Sequence, residues 1–562
     1  MRNTLNILIG GEAGQGLVTI GQLLSKSLVR SGYFIVVTQS YQSRIRGGHN
    51  SFTIRISTEE ISALQESVDI LVAMNYEAVR LHWDEILPDG IIIADKDLDI
   101  KDDRFMRIPF TELAPDRFSN TVALGIAGAV MGLDKTIMEG TMESLLGKKK
   151  ASLIQENRSA LHKAFEWANT NLSSDHRLHG ISESNQRLMM NGNEAIALGA
   201  VSTGLKFCSF YPMTPSTSIP LNLIAHAPET GLIVEQAEDE ISAINMAIGA
   251  SFAGAPSLVP TSGGGFALMV EGISLAAMTE TPVLVVVSQR PGPATGLPTR
   301  TEQADLELVL HAGHGEFPRA IFCPGSVEDC FYLTGKALKL AEEYQSPVFL
   351  LTDQFLADSY RTIEPFDIET LSPVHIDTPK DTVSPPYKRY EITENGVSPR
   401  LIPGMSEHLV IADSDEHTES GHLTENLNIR QQMVKKRLTK GDGIKKEVIH
   451  PDIREGRKPN LLLVSWGSSK GAVLEAAAQM NSNGKDVATI HFSQVWPLMP
   501  DQFMYLFRSV PKVVCIESNA NGQFARLIRR ETGFKIHTSI LRFDGLPLTP
   551  EYILSRLSEY NR

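Results

Sequence analysis

The segment FCSFYPMTPSTSIPLNLIA, residues 207–225, joins a short apolar run to a rigid, hydroxyl-rich turn and then to a second apolar run. A residue before proline is restricted to extended backbone geometry, so Tyr211 and Thr214 are both constrained in the turn. Ser216 and Thr217 are candidates to cap the following helix. Ligands of open α/β sheets bind at the carboxyl ends of strands, so the turn is predicted to aim the Thr214 hydroxyl into a crevice. The alternative, a well-capped strand–helix turn without a ligand, stays open.

Apolar runs of strand length alternate with helix-like segments on both sides of this turn. They lie at 5–11, 33–39, 69–75, 90–97, 231–236, 257–262, 282–288, 347–353, 460–467, 486–493 and 512–518. This alternation predicts an α/β protein with several doubly wound domains, in which parallel sheets carry helices on both faces.

The length and the changes in composition predict several domains. A chain of 562 residues is too long for one hydrophobic core. A polar stretch at 171–187 is predicted to be a linker, and proline, charge and polar residues dominate between about 365 and 458. We therefore expect domains at 1–180, 190–364 and 459–562, with 365–458 as a polar insertion or linker that forms no core.

Charge and composition exclude several classes of function. The net charge of −14 disfavours nucleic-acid binding, which needs a basic face. No window of 18 residues is uninterruptedly apolar, and the N-terminus lacks the apolar core of a signal peptide. The four cysteines form no CxxC pair, so we expect buried, reduced thiols in a cytoplasmic protein.

The motif GGEAGQG, residues 10–16, lies where the first predicted strand meets the first predicted helix. Glycines there allow an anion to approach the helix N–H groups. The spacing is not GxGxxG, and no acidic residue ends the second strand, which disfavours NAD. A phosphate-bearing cofactor and a purely structural turn both remain open, and the nearby SRIRGGHNSF (43–52) is either a solvated basic loop or part of an anion pocket.

Two further motifs are interpreted as structural. KGDGIKK (440–446) begins like a diphosphate–Mg²⁺ signature, but its flanks are charged and the expected asparagine is missing, so it is predicted to be a polar turn. DEHTESGHLTE (415–425) fits no standard metal spacing and is predicted to be an exposed polar hairpin.

Three segments carry candidate site residues. EQAEDE (235–240) precedes an almost uncharged helix, which predicts that at least one of its carboxylates is buried and suited to proton transfer. TSGGGFALMVEG (261–272) is a second glycine turn between a strand and a helix. RPGPATGLPTRTEQADL (290–306) is a loop in which prolines, with restricted backbone angles, and glycines, with permissive ones, precede Arg300. This pattern indicates that the loop holds the Arg300 side chain in a particular position.

These motifs resemble, in order along the chain, those of the 2-oxoacid:ferredoxin oxidoreductases. YPMTPST (211–217) is similar to the family's YPITPS motif, with Met213 in place of the commoner isoleucine. GGEAGQG with SRIRGGHNSF resembles its gamma domain, EDEISAINMAIGAS its pyrimidine-binding segment, and GPATGLPTRTEQADL its substrate loop. SWGSSKG (465–471) and ESNANGQFARLIRR (517–530) resemble its transketolase C-terminal-like domain. The resemblance covers nearly the whole chain and implies a fused gamma–alpha subunit, most like those of the 2-oxoglutarate-specific members.

The resemblance implies an activity and a set of site residues. The activity is CoA-dependent oxidative decarboxylation of a 2-oxoacid on thiamine diphosphate, with ferredoxin as electron acceptor. Thr214 would hydrogen-bond the substrate or its thiamine adduct, and Arg300 would pair with the substrate carboxylate. Glu240 would bind the aminopyrimidine N1′, with Glu238 as a rival. Tyr211 and Pro212 would also bind the cofactor, and Gly11, Gly14, Gly16 and Arg46 would help to hold coenzyme A.

The sequence lacks both a complete diphosphate–Mg²⁺ motif and the cysteines of an iron–sulfur cluster. In the family both lie on a separate beta subunit, so the resemblance implies a beta partner that carries Mg²⁺ and a 4Fe-4S cluster. The preferred substrate stays open among 2-oxoglutarate, pyruvate and branched-chain or broad 2-oxoacids. A nucleotide-binding electron-transfer module is the alternative from a different class, and it would not bring Thr214 and Glu240 to one crevice.

Overall fold

The computed structural model describes residues 1–41, 48–147, 151–172, 175–181, 186–374, 376, 383 and 385–559. Its strands are β1 (Thr4–Glu12), β2 (Phe34–Ser40), β3 (His49–Ser57), β4 (Val68–Ala73), β5 (Ile86–Asp95), β6 (Phe105–Ile108), β7 (Leu188–Met190), β8 (Phe207–Phe210), β9 (Ile233–Gln236), β10 (Ser257–Thr261), β11 (Val283–Gln289), β12 (Ala320–Phe322), β13 (Pro347–Asp353), β14 (Tyr360–Ile363), β15 (Asp452–Arg454), β16 (Leu461–Trp466), β17 (Val487–Phe492), β18 (Gln494–Trp496), β19 (Lys512–Glu517) and β20 (Thr538–Leu541).

The α-helices alternate with these strands. They are α1 (Leu17–Arg30), α2 (Tyr76–His82), α3 (Phe110–Leu113), α4 (Ser119–Met131), α5 (Lys135–Leu146), α6 (Ala151–Asn171), α7 (Gly192–Ser202), α8 (Ser218–Thr230), α9 (Glu240–Phe252), α10 (Gly263–Leu268), α11 (Val270–Met278), α12 (Leu306–Leu310), α13 (Val327–Tyr344), α14 (Gln354–Asp358), α15 (Leu427–Lys446), α16 (Lys470–Ser482), α17 (Met504–Ser509), α18 (Gln523–Thr532) and α19 (Pro550–Glu559). No described helix is long and apolar enough to cross a membrane.

The chain forms two compact units. The first contains Met1–Asn191, Asp358–Phe366 and Thr549–Ser555, and the second contains Gly192–Ala357, Asp367–Leu548 and Arg556–Arg562. The α/β class predicted from the sequence is confirmed in both units, and all four cysteines are buried, as expected.

The first unit is built on an eight-stranded mixed sheet of order β6-β5-β4-β1-β3-β2-β14-β7. Strands β4, β5 and β6 continue parallel from β1, but β3 pairs antiparallel with both β1 and β2. The interpretation of residues 43–52 as a loop is therefore wrong from His49 onward, because those residues begin β3. Apolar side chains of α1, α4, α5 and α6 form the core on one face of the sheet, and α2 packs on the other face.

The second unit contains two sheets that share one core. The seven-stranded sheet has the order β18-β12-β13-β11-β10-β8-β9, and the five-stranded sheet has the order β15-β17-β16-β19-β20. Val285 and Phe349 from the first sheet and Val464 and Phe524 from the second layer belong to one hydrophobic cluster. Strand β18, which follows β17 of the smaller sheet, pairs antiparallel with β12 of the larger one, so the two layers are also joined by backbone hydrogen bonds.

The segment between 365 and 458 contributes to the core, contrary to the expectation of a polar tether. Tyr387, Tyr390 and Met433 are buried, and α15 packs against α13. The predicted turn at 440–446 is wrong, since these residues end α15. Gly443 permits the close helix approach, because a Cβ there would lie 2.2 Å from the Tyr344 ring.

The expected exposed hairpin at 415–425 is also corrected. A turn does form there, with Thr418 N–H donating to the His422 carbonyl. His417, however, is fully buried, and its ring lies 4.0 Å from that of Tyr390. The hairpin is therefore partly buried, because His417 packs against Tyr390 while the remaining side chains are partly or fully exposed.

A buried ionic cluster attaches α15 to the rest of the second unit. The fully buried Glu280 carboxylate accepts hydrogen bonds from Lys436 Nζ at 2.7 and 2.8 Å and forms an ion pair with Lys440. Burial by itself raises the pKa of Glu280, but Lys440, Lys436 and Arg389 outweigh it and lower that pKa to about 2. Burial lowers the pKa of Lys440 to about 7, because one carboxylate compensates two buried ammonium groups only in part.

Replacing Glu280 by glutamine should destabilise the second unit by about 3–5 kcal/mol, because two buried ammonium groups would lose their counter-charge. Urea unfolding followed by tryptophan fluorescence measures this loss. Glu394→Gln, at an exposed glutamate of the same segment, is the control and should change stability by no more than about 0.5 kcal/mol. Equal stability of both variants would contradict the anchoring role of Glu280.

Candidate active site

Four neighbouring strands of the seven-stranded sheet end at one edge. Strands β11, β10, β8 and β9 are adjacent and parallel, so their carboxyl ends point the same way. The 211–217 turn follows β8, Glu240 follows β9, the glycines of α10 follow β10, and Arg290 follows β11. The topology thus places the candidate segments at the carboxyl-terminal end of the sheet, where open α/β sheets bind ligands.

The 211–217 turn is held by side chains from other elements. Arg290 Nη1 donates to the Thr214 carbonyl at 2.7 Å, and Asn193 Nδ2 donates to the Pro215 carbonyl at 2.9 Å. The expected capping by Ser216 and Thr217 is wrong: Ser216 Oγ donates to the Met213 carbonyl, and neither side chain caps α8. The Thr214 hydroxyl bonds to no described residue, which leaves it available to a ligand.

Glu240 is the buried carboxylate predicted for the EQAEDE segment. It is the first residue of α9, is 3% exposed, and its Oε1 has no hydrogen-bond partner among the described residues. Gly265 provides the space for it, because a Cβ at that glycine would lie 2.5 Å from Glu240 Oε1. The rival Glu238 is exposed and accepts a hydrogen bond from Ser242 Oγ at 2.7 Å, which lowers its pKa. An unsatisfied buried acceptor is costly unless a ligand donates to it, so Glu240 is the better candidate.

Arg290 and Asp305 lie close enough beside the turn for their charges to interact. The Asp305 carboxylate packs against Gly263, where a Cβ would lie 2.4 Å from Oδ2. Burial raises the pKa of Asp305 to about 6, and the Arg290 charge opposes this rise only in part. Burial also lowers the pKa of Arg290, so both groups are short of solvation. Both residues lie in the 290–306 loop, in which Arg300 alone was predicted to be a site residue.

The remaining predicted residues of this site are more exposed. Tyr211 is 39% exposed, Pro212 is exposed, and Arg300 is partly exposed. The Arg300 backbone N–H donates to the Leu297 carbonyl at 3.1 Å. Its guanidinium makes no hydrogen bond or ion pair with any residue that the structure describes, so its charge is available to an anion.

The glycine turn of the first unit borders a separate cavity of about 330 Å³. Gly14 and Gly16 have positive φ angles of 101° and 78°, and a Cβ at Gly16 would lie 2.7 Å from Asn120 Nδ2. Both glycines line the cavity, whereas Gly11 lies in β1 against Gln15. Arg46 lies outside the described residues. The turn therefore leaves room for a ligand at the first turn of α1.

Within the ranges that the structure covers, no group of three histidine, cysteine, aspartate or glutamate side chains is placed to hold a metal ion.

Comparison with known proteins identifies the class to which this site belongs. Residues 198–436 match a family model described as pyruvate flavodoxin/ferredoxin oxidoreductase, thiamine diphosphate-binding, and residues 6–167 match one described as pyruvate ferredoxin/flavodoxin oxidoreductase. The fold and these matches define a subunit of a thiamine diphosphate-binding oxidoreductase.

Full-length relatives make the assignment more specific. The chain is 30% identical to the 2-oxoacid:ferredoxin oxidoreductase subunit alpha of Sulfolobus sp, over 97% of this chain and 95% of that protein. It is 28% identical to the 2-oxoglutarate oxidoreductase subunit KorA of Mycobacterium tuberculosis, over 93% and 86% of the two chains. A structure of 2-oxoglutarate:ferredoxin oxidoreductase from Magnetococcus marinus, with 2-oxoglutarate, coenzyme A and succinyl-CoA bound, superposes with a TM-score of 0.94 at 32% identity over both whole chains. The chain belongs to the 2-oxoacid:ferredoxin oxidoreductase family and is an alpha subunit, which confirms the resemblance seen in the sequence.

The raised pKa of Asp305 predicts a pH-dependent stability. An unfolded aspartate has a pKa near 4, so the folded state binds this proton more tightly. The stabilisation is therefore complete below about pH 4 and is lost as the pH rises through about 6. Asparagine does not titrate, so Asp305→Asn should become more stable relative to the wild type by about 1 kcal/mol between pH 5 and pH 8.

Thermal unfolding of the full chain at several pH values measures this difference. Asp501→Asn, at an exposed aspartate of the same unit, should run parallel to the wild type across the same range. A constant offset for Asp305→Asn between pH 5 and pH 8 would show that Asp305 is already ionised at pH 5.

Proposed function

We propose that this chain, together with a beta subunit, catalyses the CoA-dependent oxidative decarboxylation of 2-oxoglutarate to succinyl-CoA, with reduction of ferredoxin. The observation that carries the proposal is the buried, unpartnered Glu240 Oε1, at the sheet edge that also holds the Thr214 turn. The substrate assignment is supported by the relatives named for 2-oxoglutarate and by the ligands of the Magnetococcus marinus structure.

The described residues fit the aminopyrimidine ring of thiamine diphosphate. Glu240 offers a carboxyl oxygen with no other partner, and the glycines at the start of α10 keep the space beside it free of side chains. When bound, this cofactor supplies the carbon nucleophile and the electron sink for decarboxylation. Glu240 would exchange a proton with the ring nitrogen N1′, and Tyr211 and Pro212 would border the ring.

Thr214 and Arg300 are assigned to the substrate. The Thr214 hydroxyl, in a turn fixed by Arg290, would donate a hydrogen bond to the 2-oxoacid. The Arg300 guanidinium, which has no partner among the residues that the structure describes, would pair with the substrate carboxylate in a bidentate arrangement. This contact orients the substrate before decarboxylation.

The partner assignment is supported by exposed apolar side chains on α9, which begins at Glu240, and on elements close to it in the second unit. These side chains lie on α8, β9, α9 and α10 and are 45–58% exposed, namely Leu221, Ile224, Ile233, Ile241 and Leu268. Exposed large apolar side chains on neighbouring elements are characteristic of subunit interfaces. A beta subunit that carries Mg²⁺, the diphosphate site and a 4Fe-4S cluster would cover them and complete the active site.

Coenzyme A is assigned to the cavity of the first unit. The backbone N–H groups at the start of α1 and the glycine turn form an anion-binding arrangement next to about 330 Å³ of space. Gly14, Gly16 and the first turn of α1 would contact the phosphate groups of coenzyme A.

Glu240→Gln should reduce turnover of the co-expressed complex by at least about 100-fold, because an amide does not relay the proton. The direct readout is H/D exchange at C2 of bound thiamine diphosphate, followed by NMR, and this exchange should slow with turnover. Glu238→Gln, at the neighbouring exposed glutamate, is the matched control and should exchange at the wild-type rate.

Normal exchange in Glu240→Gln would remove Glu240 from the proton pathway. The same wild-type preparation identifies the substrate: kcat/KM for 2-oxoglutarate should exceed that for pyruvate and for branched-chain 2-oxoacids. A preference for pyruvate would keep the reaction class and overturn the substrate assignment.

A carboxylate in the proposed coenzyme A cavity should weaken coenzyme A binding. Val18 is 49% exposed, lies in the first turn of α1 and lines the cavity, so Val18→Glu should be tolerated by the helix and should repel the phosphates. We expect the KM for coenzyme A to rise about tenfold while the KM for the 2-oxoacid stays constant. Val18→Gln has the same shape without the charge and should change neither KM by more than about twofold; equal effects of the two variants would argue against an anion site.

A further inference from the structure

Gln303 connects the loop that carries Arg300 to the smaller sheet of the second unit. It is fully buried, and its Nε2 donates to the Trp466 carbonyl at 2.9 Å. Ser518 N–H donates to Gln303 Oε1 at 3.0 Å, and the Gln303 backbone N–H donates to the Ser518 carbonyl at 2.5 Å. Gly467 leaves space for this side chain, because a Cβ there would lie 2.8 Å from Gln303 Nε2.

Further hydrogen bonds attach the same loop to the same layer on both sides of Gln303. Gln523 Nε2 donates to the Ala304 carbonyl at 2.6 Å, and Glu307 N–H donates to Gln523 Oε1 at 2.9 Å. Thr301 N–H donates to the Gly545 carbonyl at 3.2 Å. The backbone next to Arg300 is therefore fixed by the layer that contains β16, β19 and α18.

The layer that contains β16, β19 and α18 is itself held in place where it contacts Gln303. The fully buried Glu517 carboxylate, at the end of β19, accepts hydrogen bonds from Trp466 Nε1 at 3.2 Å and from Phe524 N–H at 2.8 Å. Asn519 Nδ2 donates to Glu517 at 2.9 Å and to the Gln303 carbonyl at 3.1 Å. One buried carboxylate thus holds the side chains of Trp466 and Asn519, and both of these residues bond to Gln303.

We propose that Gln303 is a positioning residue that places the Arg300 guanidinium for the substrate carboxylate, and that the smaller sheet serves as the support of this loop. The inference rests on the proposed role of Arg300. Gln303 contacts backbone groups on both sides, so its effect on the substrate is exerted through the position of Arg300. The proton exchange assigned to Glu240 uses a side chain of α9 and not the Arg300 guanidinium, so the two roles have separate readouts.

The test compares Gln303→Leu with Arg300→Met and with the double variant in the co-expressed complex. Gln303→Leu removes both side-chain hydrogen bonds, and we expect the KM for the 2-oxoacid to rise about 10-fold to 100-fold. The C2 exchange rate of bound thiamine diphosphate and the KM for coenzyme A should not change. In the Arg300→Met background, Gln303→Leu should add less than about twofold, because the two changes act on one contact.

Gln494→Leu is the matched control. Gln494 is also buried, accepts from Ile449 N–H at 3.0 Å and donates to the Trp496 carbonyl at 3.1 Å. Among the described residues, its side chain makes no hydrogen bond to residues 300–307. It should leave the KM for the 2-oxoacid unchanged. If Gln303→Leu does not assemble, Gln523→Met, at a partly exposed position that holds the same loop, replaces it with an expected rise of about fivefold in the same KM.

The outcomes separate the inference from the proposed function. A normal KM in Arg300→Met would overturn the placement of the substrate. A raised KM in Arg300→Met with a normal KM in Gln303→Leu, or full additivity in the double variant, would overturn the positioning role alone. A loss of C2 exchange in Gln303→Leu would show a general structural role instead.

Discussion

The buried carboxylate of Glu517 is the interaction on which the geometry of the second unit depends. It satisfies the N–H groups at the start of α18, the Trp466 indole and the Asn519 amide, and these groups in turn receive the loop that carries Arg300. A carboxylate buried at a helix N-terminus is stabilised by the aligned peptide dipoles as well as by its hydrogen bonds. The cost of burying its charge is offset by these donors, so the 517–523 segment has one well-defined conformation.

Three glycines make room for the polar side chains at and near the candidate active site, because a side chain at any of them would clash. Gly263 and Gly265 leave the space in which Asp305 and Glu240 lie, and Gly467 leaves the space for Gln303. Two acidic side chains thereby lie within one strand–helix turn of each other in poorly solvated surroundings. The Asp305 carboxylate is compensated in part by Arg290, whereas Glu240 Oε1 has no hydrogen-bond partner among the described residues. That difference is what separates a structural acid from a candidate catalytic one.

The site residues predicted from the sequence do not include the side chains that hold their segments in place. Thr214, Glu240 and Arg300 stand in local patterns that differ from ordinary turns and solvated faces. Arg290, Gln303 and Asp305 lie in the same loop, yet their partners are 76, 163 and 42 positions away in the sequence, at Thr214, Trp466 and Gly263.

The expectation that residues 365–458 form no core is wrong for a related reason. The lysines of α15 are typical of a solvated helix, and only the distant Glu280 makes their burial possible.

The sequence by itself determined the α/β class, most of the buried strands, the family and the acid that is buried at α9, because strand periodicity, glycine turns and family motifs are local signals. Only the tertiary structure decided that β3 separates β1 from β2, that residues 440–446 continue a helix, and that the smaller sheet holds the Arg300 loop. Each of these depends on hydrogen bonds, ion pairs or close packing between residues that are far apart in the chain. The free energy of such contacts depends on burial and on the partner, and neither is written in the local order of the residues.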